Sequence, residues 1–387
     1  MSTKRISLLD GFRALAILAV MLFHYTYRWT EPAYSPGMYP YGSFYGNLFT
    51  YGFYAVQFFF CISGFVISYT LENTKGFGAF WKNRLIRLLP PMVLCSLITF
   101  CLFRIFDNNN LFPNASAASS FLPSLTFTKP ELWHLVFPNR QWAFISLSYW
   151  SLWVEVQFYM VAAVLFYTNQ RTFFRNIVVF ALVVNLLNWI PTSFMLDPAR
   201  YHVPAFLHST LFKSYYFSQN FNLRFYISWF AIGAFFHRLF IKRTFRFLSL
   251  TGIGMLLIFA TQFYLCDPWP TRIIFLIINL LFIGLVYRNG LLSFLDKPLI
   301  RRVGALSYST YLIHEMLGVL FINKIGPYFG SWSPITPFIT ILMAFGFAEM
   351  SYRVYEKPVT AFLKRCLFKP ASIPISPEPA VKEIAPN

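Results

Sequence analysis

The chain has 387 residues, of which 57% are hydrophobic, 21% aromatic and only 12% charged. Soluble domains carry about 25% charged residues, so this composition excludes an ordinary soluble protein and predicts an integral membrane protein. The formal net charge of +18 would also suit a nucleic-acid-binding protein. The basic residues, however, lie in short segments between long apolar runs, as membrane topology requires, and we expect no nucleic-acid partner.

The apolar runs predict an all-α integral membrane protein, a bundle of about ten transmembrane helices. A helix needs about 20 apolar residues to cross a hydrocarbon core roughly 30 Å thick. The first run is kept as a span because it continues through aromatic residues without the small-residue cleavage site of a signal peptide. The expected limits are 11–30, 49–71, 88–106, 146–167, 174–195, 223–241, 247–266, 270–288, 304–324 and 334–355.

The distribution of basic residues predicts the orientation. Most of the 32 lysines and arginines fall in alternate loops on the side of the N-terminus. Because cytosolic loops carry the excess of positive charge, both the N-terminus and the C-terminus are expected in the cytosol. The membrane domain is predicted to cover residues 1–369, and the proline-rich segment 370–387 is expected to be a disordered cytosolic tail. The five cysteines lack metal-ligand spacing, so no metal site is expected.

The first span contains RALAILAVMLFH, which runs from Arg13 to His24. Eleven residues of α-helix turn through roughly 1100° and rise about 16 Å, so the two side chains share a face. With Arg13 at the cytosolic boundary, His24 lies near the middle of the bilayer, where ionisable groups usually face protein or water. Two interpretations remain open: His24 is a reactive group in a polar passage, or it is a neutral hydrogen-bonded residue between helices.

Two later spans bring further ionisable groups to the same depth. Glu155 lies in SYWSLWVEVQFY of the fourth span, and His314 and Glu315 lie in SYSTYLIHEML of the ninth. A histidine and a carboxylate at one depth suit general-base chemistry, because the histidine can take a proton near neutral pH while the acid orients it. Proton-coupled transport would use the same groups.

The segment FWKNRLIRLLPPM offers a different kind of site. Arg84 and Arg87 are three residues apart and are neighbours on one face if the segment is helical. Arginine side chains match phosphate oxygens well, which suggests a phosphate-bearing ligand. Cytosolic anchors of a membrane protein have the same appearance, so both interpretations stand.

Taken together, these segments resemble the membrane-bound acyltransferase family 3. Its members are O-acyltransferases that modify bacterial surface polysaccharides, peptidoglycan, lipids and some secondary metabolites. The resemblance rests on the order and spacing, along positions 8–358, of LLDGFRALAILAVMLFH, FFFCISGFVIS, RLIR, WSLWVEVQFY and SYSTYLIH.

The resemblance implies a donor on one side of the membrane and an acceptor on the other. Acyl-CoA, with acetyl-CoA the default, would approach from the cytosol, its phosphates held by Arg13, Arg84 and Arg87. Its thioester would extend toward His24, the expected general base, with Glu155 as the acid that orients it. A covalent acyl-histidine is the alternative route.

The same resemblance implies that Tyr308 and His314 line the passage. The expected acceptor is a hydroxyl of a surface glycan or a lipid-linked sugar, and the expected location is the bacterial inner membrane, with polysaccharide-synthesis proteins as partners. Many relatives carry a second acid after the motif glutamate, where this chain has Val156. Some also carry an extracellular hydrolase-like domain; without one, this chain is expected to act alone or to hand on to a separate protein.

Two other classes of function remain as alternatives. A polytopic transporter or exporter would use the buried histidine and glutamate for proton coupling and would move a solute without consuming acyl-CoA. The sequence shows neither inverted repeats nor glycine-broken helices, which are typical of such transporters. A non-catalytic scaffold would tolerate neutral substitutions at His24, Glu155 and Arg84 alike.

Overall fold

The computed structural model describes residues 6–30, 37–188, 219–244, 246, 248–288 and 290–368. Within these residues every regular element is a helix, and no strand occurs. The tail predicted at 370–387 lies outside the described residues, as does the end of the fifth predicted span after residue 188.

The α-helices of the described chain are numbered here in sequence order. Short 3-10 turns at Thr50–Tyr54 and Leu147–Tyr149 lead into the second and the sixth of them, and a π-helical turn at Tyr352–Glu356 joins the last two. The helices are α1 (Ser7–Thr26), α2 (Ala55–Glu72), α3 (Phe77–Phe106), α4 (Phe121–Thr126), α5 (Pro130–Val136), α6 (Trp150–Thr168), α7 (Phe173–Asn188), α8 (Ile227–Lys242), α9 (Leu250–Leu265), α10 (Trp269–Tyr287), α11 (Pro298–Ala305), α12 (Ser307–Ile325), α13 (Thr336–Ser351) and α14 (Lys357–Leu367).

A helix overlaps each of the ten predicted spans. Two of them, α7 and α9, are apolar but short for a full crossing. Among the described residues, six helical stretches are long and apolar enough to cross a membrane: Ser7–Thr26, Thr50–Glu72, Phe77–Phe106, Leu147–Thr168, Trp269–Tyr287 and Ser307–Leu367. The predicted class, an all-helical multi-pass membrane protein, agrees with this architecture.

Helix α3 is longer than the third predicted span. The apolar run predicts a span at 88–106, whereas α3 begins at Phe77 and continues through Pro90 and Pro91. The basic segment predicted as a loop therefore forms the first turns of α3. Arg84 and Arg87 are consequently held one turn apart on a rigid helix.

The helices that form the candidate site are joined by contacts of α1, α2 and α12. Helix α1 packs against α2, α11 and α12, while α2 also contacts α6 and α8. Helix α12 contacts α3 and α13 on its other side. Side chains from α1, α2, α3, α6 and α12 therefore point toward one region of the bundle.

Helices α2 and α8 cross at backbone contact, which glycine permits on both sides. A Cβ at Gly64 of α2 would lie 2.1 Å from the carbonyl oxygen of Phe230, and a Cβ at Gly233 of α8 would lie 2.0 Å from that of Cys61. Both distances are shorter than any real contact. Small residues allow such close packing between membrane helices, and here the crossing fixes α2, which lines the site.

Gly64→Leu would force a side chain into the backbone of α8. We expect the free energy of unfolding to fall by roughly 1–3 kcal/mol, the usual cost of overpacking. The measurement is the midpoint of thermal unfolding of the purified protein in detergent. Gly346→Leu is the matched control, because Gly346 is also helical but has open space around it. A Gly64→Leu protein as stable as the wild type would contradict the close crossing.

Candidate active site

Two cavities adjoin at the convergence of α1, α2, α6 and α12. The first, which we call the basic cavity, has a volume of about 80 Å³. Five of the seven residues predicted from the sequence line it together: Arg13, Arg84, Arg87, Glu155 and Tyr308. The structure thus brings the three arginines of α1 and α3 to one space, although they are distant in sequence.

Arg84 is the most deeply placed of these arginines, with only 6% of its surface exposed. Its Nη2 donates to Oγ1 of Thr70 at 2.8 Å, and its guanidinium lies over the rings of Phe80 and Tyr159. Arg87 is exposed one turn further along α3. Nε of Arg84 is buried and has no hydrogen-bond partner among the described residues.

Glu155 of α6 is held by two hydroxyl groups inside the basic cavity. Its Oε1 accepts hydrogen bonds from Ser63 at 2.7 Å and from Tyr159 at 2.5 Å. Ser63 belongs to the FFFCISGFVIS segment of α2, so that segment contributes a polar anchor as well as the close helix crossing. The carboxylate therefore lies on the same side as the arginines and faces their positive charge.

The second cavity, which we call the histidine cavity, has a volume of about 340 Å³. His24 of α1 and Glu315 of α12 line it, together with Arg28 and Trp150. Nδ1 of His24 lies 3.2 Å from Oε1 of Glu315, at ion-pair distance but without the alignment of a hydrogen bond. His24 is 9% exposed and Glu315 is 2% exposed, so this pair is almost entirely removed from solvent.

The backbone around His24 is fixed by tyrosines of the segment that follows α1. The hydroxyl of Tyr39 donates to the carbonyl oxygen of His24, and that of Tyr41 donates to the carbonyl oxygen of Tyr25. The last carbonyls of a helix lack partners within the helix, so these hydroxyls satisfy groups that would otherwise be unpaired. They also fix the end of α1 on which His24 is carried.

The expected pairing of His24 with Glu155 is not what the structure shows. Glu315 lies beside His24, whereas Glu155 points into the basic cavity. The sequence predicts one depth for the carboxylates of Glu155 and Glu315, but depth along a helix does not determine which neighbouring helix a side chain faces. One sequence signal points to Glu315, which directly follows His314 in the helix. Adjacent helical residues point in directions about 100° apart, so these two side chains face different neighbours.

His314, expected to line the passage, lines neither of these cavities. Its ring packs edge-on against His24 with centroids 5.0 Å apart, and its Nδ1 lies 2.7 Å from the carbonyl oxygen of Tyr311. With Tyr25 it borders a separate, apolar cavity of about 340 Å³ between α3, α12 and α13. The ring of His314 therefore packs against the ring of His24 from outside the histidine cavity.

Only Val56 of α2 and Tyr311 of α12 line both the basic cavity and the histidine cavity, as far as the described chain shows. The cavities therefore meet at these two side chains. The arginines lie on one side of that boundary and the histidine–glutamate pair on the other. No group of three or more metal-binding side chains occurs within the ranges that the structure describes.

Comparison with known proteins gives relatives along most of the chain. The O-acetyltransferase OatA of Staphylococcus aureus strain NCTC 8325 is 26% identical over 381 residues, which is 91% of this chain and 56% of the relative. A protein of strain COL, named only as a proposed O-acetyltransferase, is 27% identical over 174 residues, 42% of this chain and 25% of the relative. The chain spans about half the length of the OatA relatives it matches. No solved structure gave a significant match.

A family profile described as an acyltransferase domain matches residues 6–348. That range includes the arginines of the basic cavity, the His24–Glu315 pair of the histidine cavity and the two side chains between the cavities. The match confirms the resemblance drawn from the sequence motifs, and the chain belongs to the membrane-bound acyltransferase family 3.

Proposed function

We propose that this protein is a membrane O-acyltransferase that moves an acyl group, acetyl by default, from cytosolic acyl-CoA to a hydroxyl of a surface glycan, glycolipid or related acceptor. The observation that carries the proposal is the junction of the two cavities. A cavity lined by three arginines suits the phosphates of a nucleotide-bearing donor, and it adjoins a cavity with a histidine–carboxylate pair suited to proton transfer. The O-acetyltransferase relatives agree with this chemistry.

The same proposal includes ten membrane spans with both termini in the cytosol of a bacterium and the protein in its inner membrane. Arg13 lies near the start of α1, and Arg84 and Arg87 lie in the first turns of α3. This orientation therefore opens the basic cavity to the cytosol, where acyl-CoA is found. Eleven residues of α1 then carry His24 about 16 Å toward the outer side. Trp150 and Tyr226, with rings 5.4 Å apart, line the histidine cavity and present faces on which a sugar can stack.

The proposed transfer is a single displacement. Glu315 lies at Nδ1 of His24, which leaves Nε2 to take the proton of the acceptor hydroxyl while Glu315 stabilises the imidazolium. The acceptor oxygen attacks the thioester carbonyl carbon, so a C–O bond forms and the C–S bond breaks. The proton on Nε2 passes to the departing CoA thiolate. In the alternative route Nε2 itself attacks the thioester and the acyl-histidine then transfers to the hydroxyl.

His24→Ala removes the base, and we expect acyl transfer to fall at least about 100-fold, the usual range for a positioned general base. The measurement uses inverted membrane vesicles from cells that make the protein, so that the native acceptor is present. The vesicles receive acetyl-CoA labelled in the acetyl group, and base-labile label in the envelope fraction is counted.

His134→Ala is the matched control, because His134 is exposed on α5 and borders neither site cavity. It should transfer acetyl groups at the wild-type rate. Vesicles of the opposite orientation should incorporate no label, since the donor would then reach the wrong face. Full transfer by a folded His24→Ala protein would reject the proposed base.

The two glutamates predict different kinetic effects. Glu315→Gln weakens the orientation of His24 and should lower kcat about 10- to 100-fold with the KM for acetyl-CoA unchanged. Glu155→Gln keeps the acceptor of the Ser63 and Tyr159 hydroxyls but changes the charge of the basic cavity, so it should change chiefly the KM for acetyl-CoA. Loss of kcat in Glu155→Gln with normal kcat in Glu315→Gln would reverse the assignment.

Arg87→Ala removes an exposed cation of the basic cavity. A hydrogen bond to a charged group contributes about 1.5–3 kcal/mol, so the KM for acetyl-CoA should rise about 10-fold or more. Lys82→Ala is the matched control, because Lys82 is exposed on the same helix but does not line the cavity. Equal effects of the two substitutions would mean that net charge, and not a phosphate contact, is responsible.

A further inference from the structure

The boundary between the two cavities is a built feature of the bundle. Tyr311 extends from α12 across to the start of α6, where its hydroxyl lies 2.8 Å from Oγ of Ser151 and donates to the carbonyl oxygen of Ser148 at 3.0 Å. Val56 faces the same boundary from α2. Tyr311 is 7% exposed and Val56 is 8% exposed, so both are packed on most sides.

The ring of Tyr311 is also held by its neighbours. Phe59 of α2 packs against it with centroids 6.1 Å apart, and the centroid of the His314 ring lies 5.1 Å away. Because both the hydroxyl and the ring have partners, Tyr311 cannot move aside without breaking several contacts. The separation between the cavities is therefore a defined constriction.

The position of this constriction determines what an acyl donor meets. In the proposed function, which this inference rests on, the phosphates stay with the arginines of the basic cavity while the thioester carbon reaches His24. The acyl group must then pass Tyr311 and Val56 or lie against them. An acetyl group adds one methyl beyond the carbonyl, whereas a hexanoyl group adds four more carbons, and a close-packed site accommodates extra methylenes poorly.

We infer that Tyr311, with Val56, sets the acyl-chain specificity of this protein: the ring and the valine form a constriction that passes a short acyl group to His24 and excludes longer ones. The inference concerns the donor only and leaves the identity of the acceptor open. The ring of Tyr311 provides the obstruction, and its hydroxyl only fixes the ring.

The test compares labelled acetyl-CoA with labelled hexanoyl-CoA in inverted vesicles that contain the native acceptor. Wild-type vesicles should incorporate acetyl groups and little hexanoyl. In Tyr311→Ala vesicles the ratio of hexanoyl to acetyl incorporation should rise about 10-fold or more, since the overpacking that opposes extra methylenes is removed. Tyr311→Phe keeps the ring and should keep the wild-type ratio within about 3-fold on the same reasoning.

A second pair of variants keeps the test decisive if Tyr311→Ala does not fold. Val56→Ala should raise the ratio about 3-fold, because it widens the constriction by two methyl groups. Val66→Ala is the matched control, since Val66 lies on the same helix and lines the basic cavity but not the histidine cavity. It should leave the ratio unchanged.

The outcomes separate the inference from the proposed function. Wild-type vesicles that transfer neither acyl group would reject the proposed function, and the inference with it. Wild-type vesicles that transfer acetyl and hexanoyl groups equally well would overturn the inference alone. So would acetyl transfer with the same low hexanoyl ratio in Tyr311→Ala, or equal ratios in Val56→Ala and Val66→Ala.

Discussion

Nδ1 of His24 and Oε1 of Glu315 lie 3.2 Å apart inside an apolar bundle, where each side chain is the polar partner of the other. An unpaired ionisable group at the centre of a bilayer costs about 3 kcal/mol on insertion scales, so such groups occur where a partner or a polar cavity receives them. The pair requires α1 and α12 to be neighbours at this level. The tyrosine hydroxyls that bind the end of α1, and the ring of His314 behind His24, then fix the orientation of the imidazole.

A single helix connects the two ends of the proposed reaction. Arg13 lines the basic cavity and His24 the histidine cavity, and the helix between them sets their separation at about 16 Å. A donor held by its phosphates at one end can therefore present its reactive group at the other without any large movement of the protein. The bundle needs to supply only a channel between the two ends, and Tyr311 and Val56 control its width.

Much of this arrangement follows from sequence patterns. Helical periodicity places Arg13 and His24 on one face of α1, and the spacing of Arg84 and Arg87 makes them neighbours on α3. Both relations are local, so the sequence predicts them. Hydropathy identifies the helices for the same reason. Hydropathy marks only the apolar part of α3, so the start of this helix at Phe77, before its basic residues, does not follow from it.

The partner of His24 could not be read from the sequence. The sequence predicts similar depths for Glu155 and Glu315, and only the packing of the helices decides which one faces the imidazole: α12 contacts α1 directly, whereas α6 packs on α2. The boundary at Val56 and Tyr311 is likewise a product of packing, since neither residue type carries a chemical signal. Contacts between distant segments therefore account for most of what the sequence left open.

The most direct measurement is an experimental structure of the protein in lipid with coenzyme A bound. The account predicts that the phosphates contact Arg13, Arg84 and Arg87 and that the thiol ends at the boundary formed by Val56 and Tyr311, facing His24. Coenzyme A bound elsewhere, or seated in the basic cavity with its thiol directed away from His24, would contradict it.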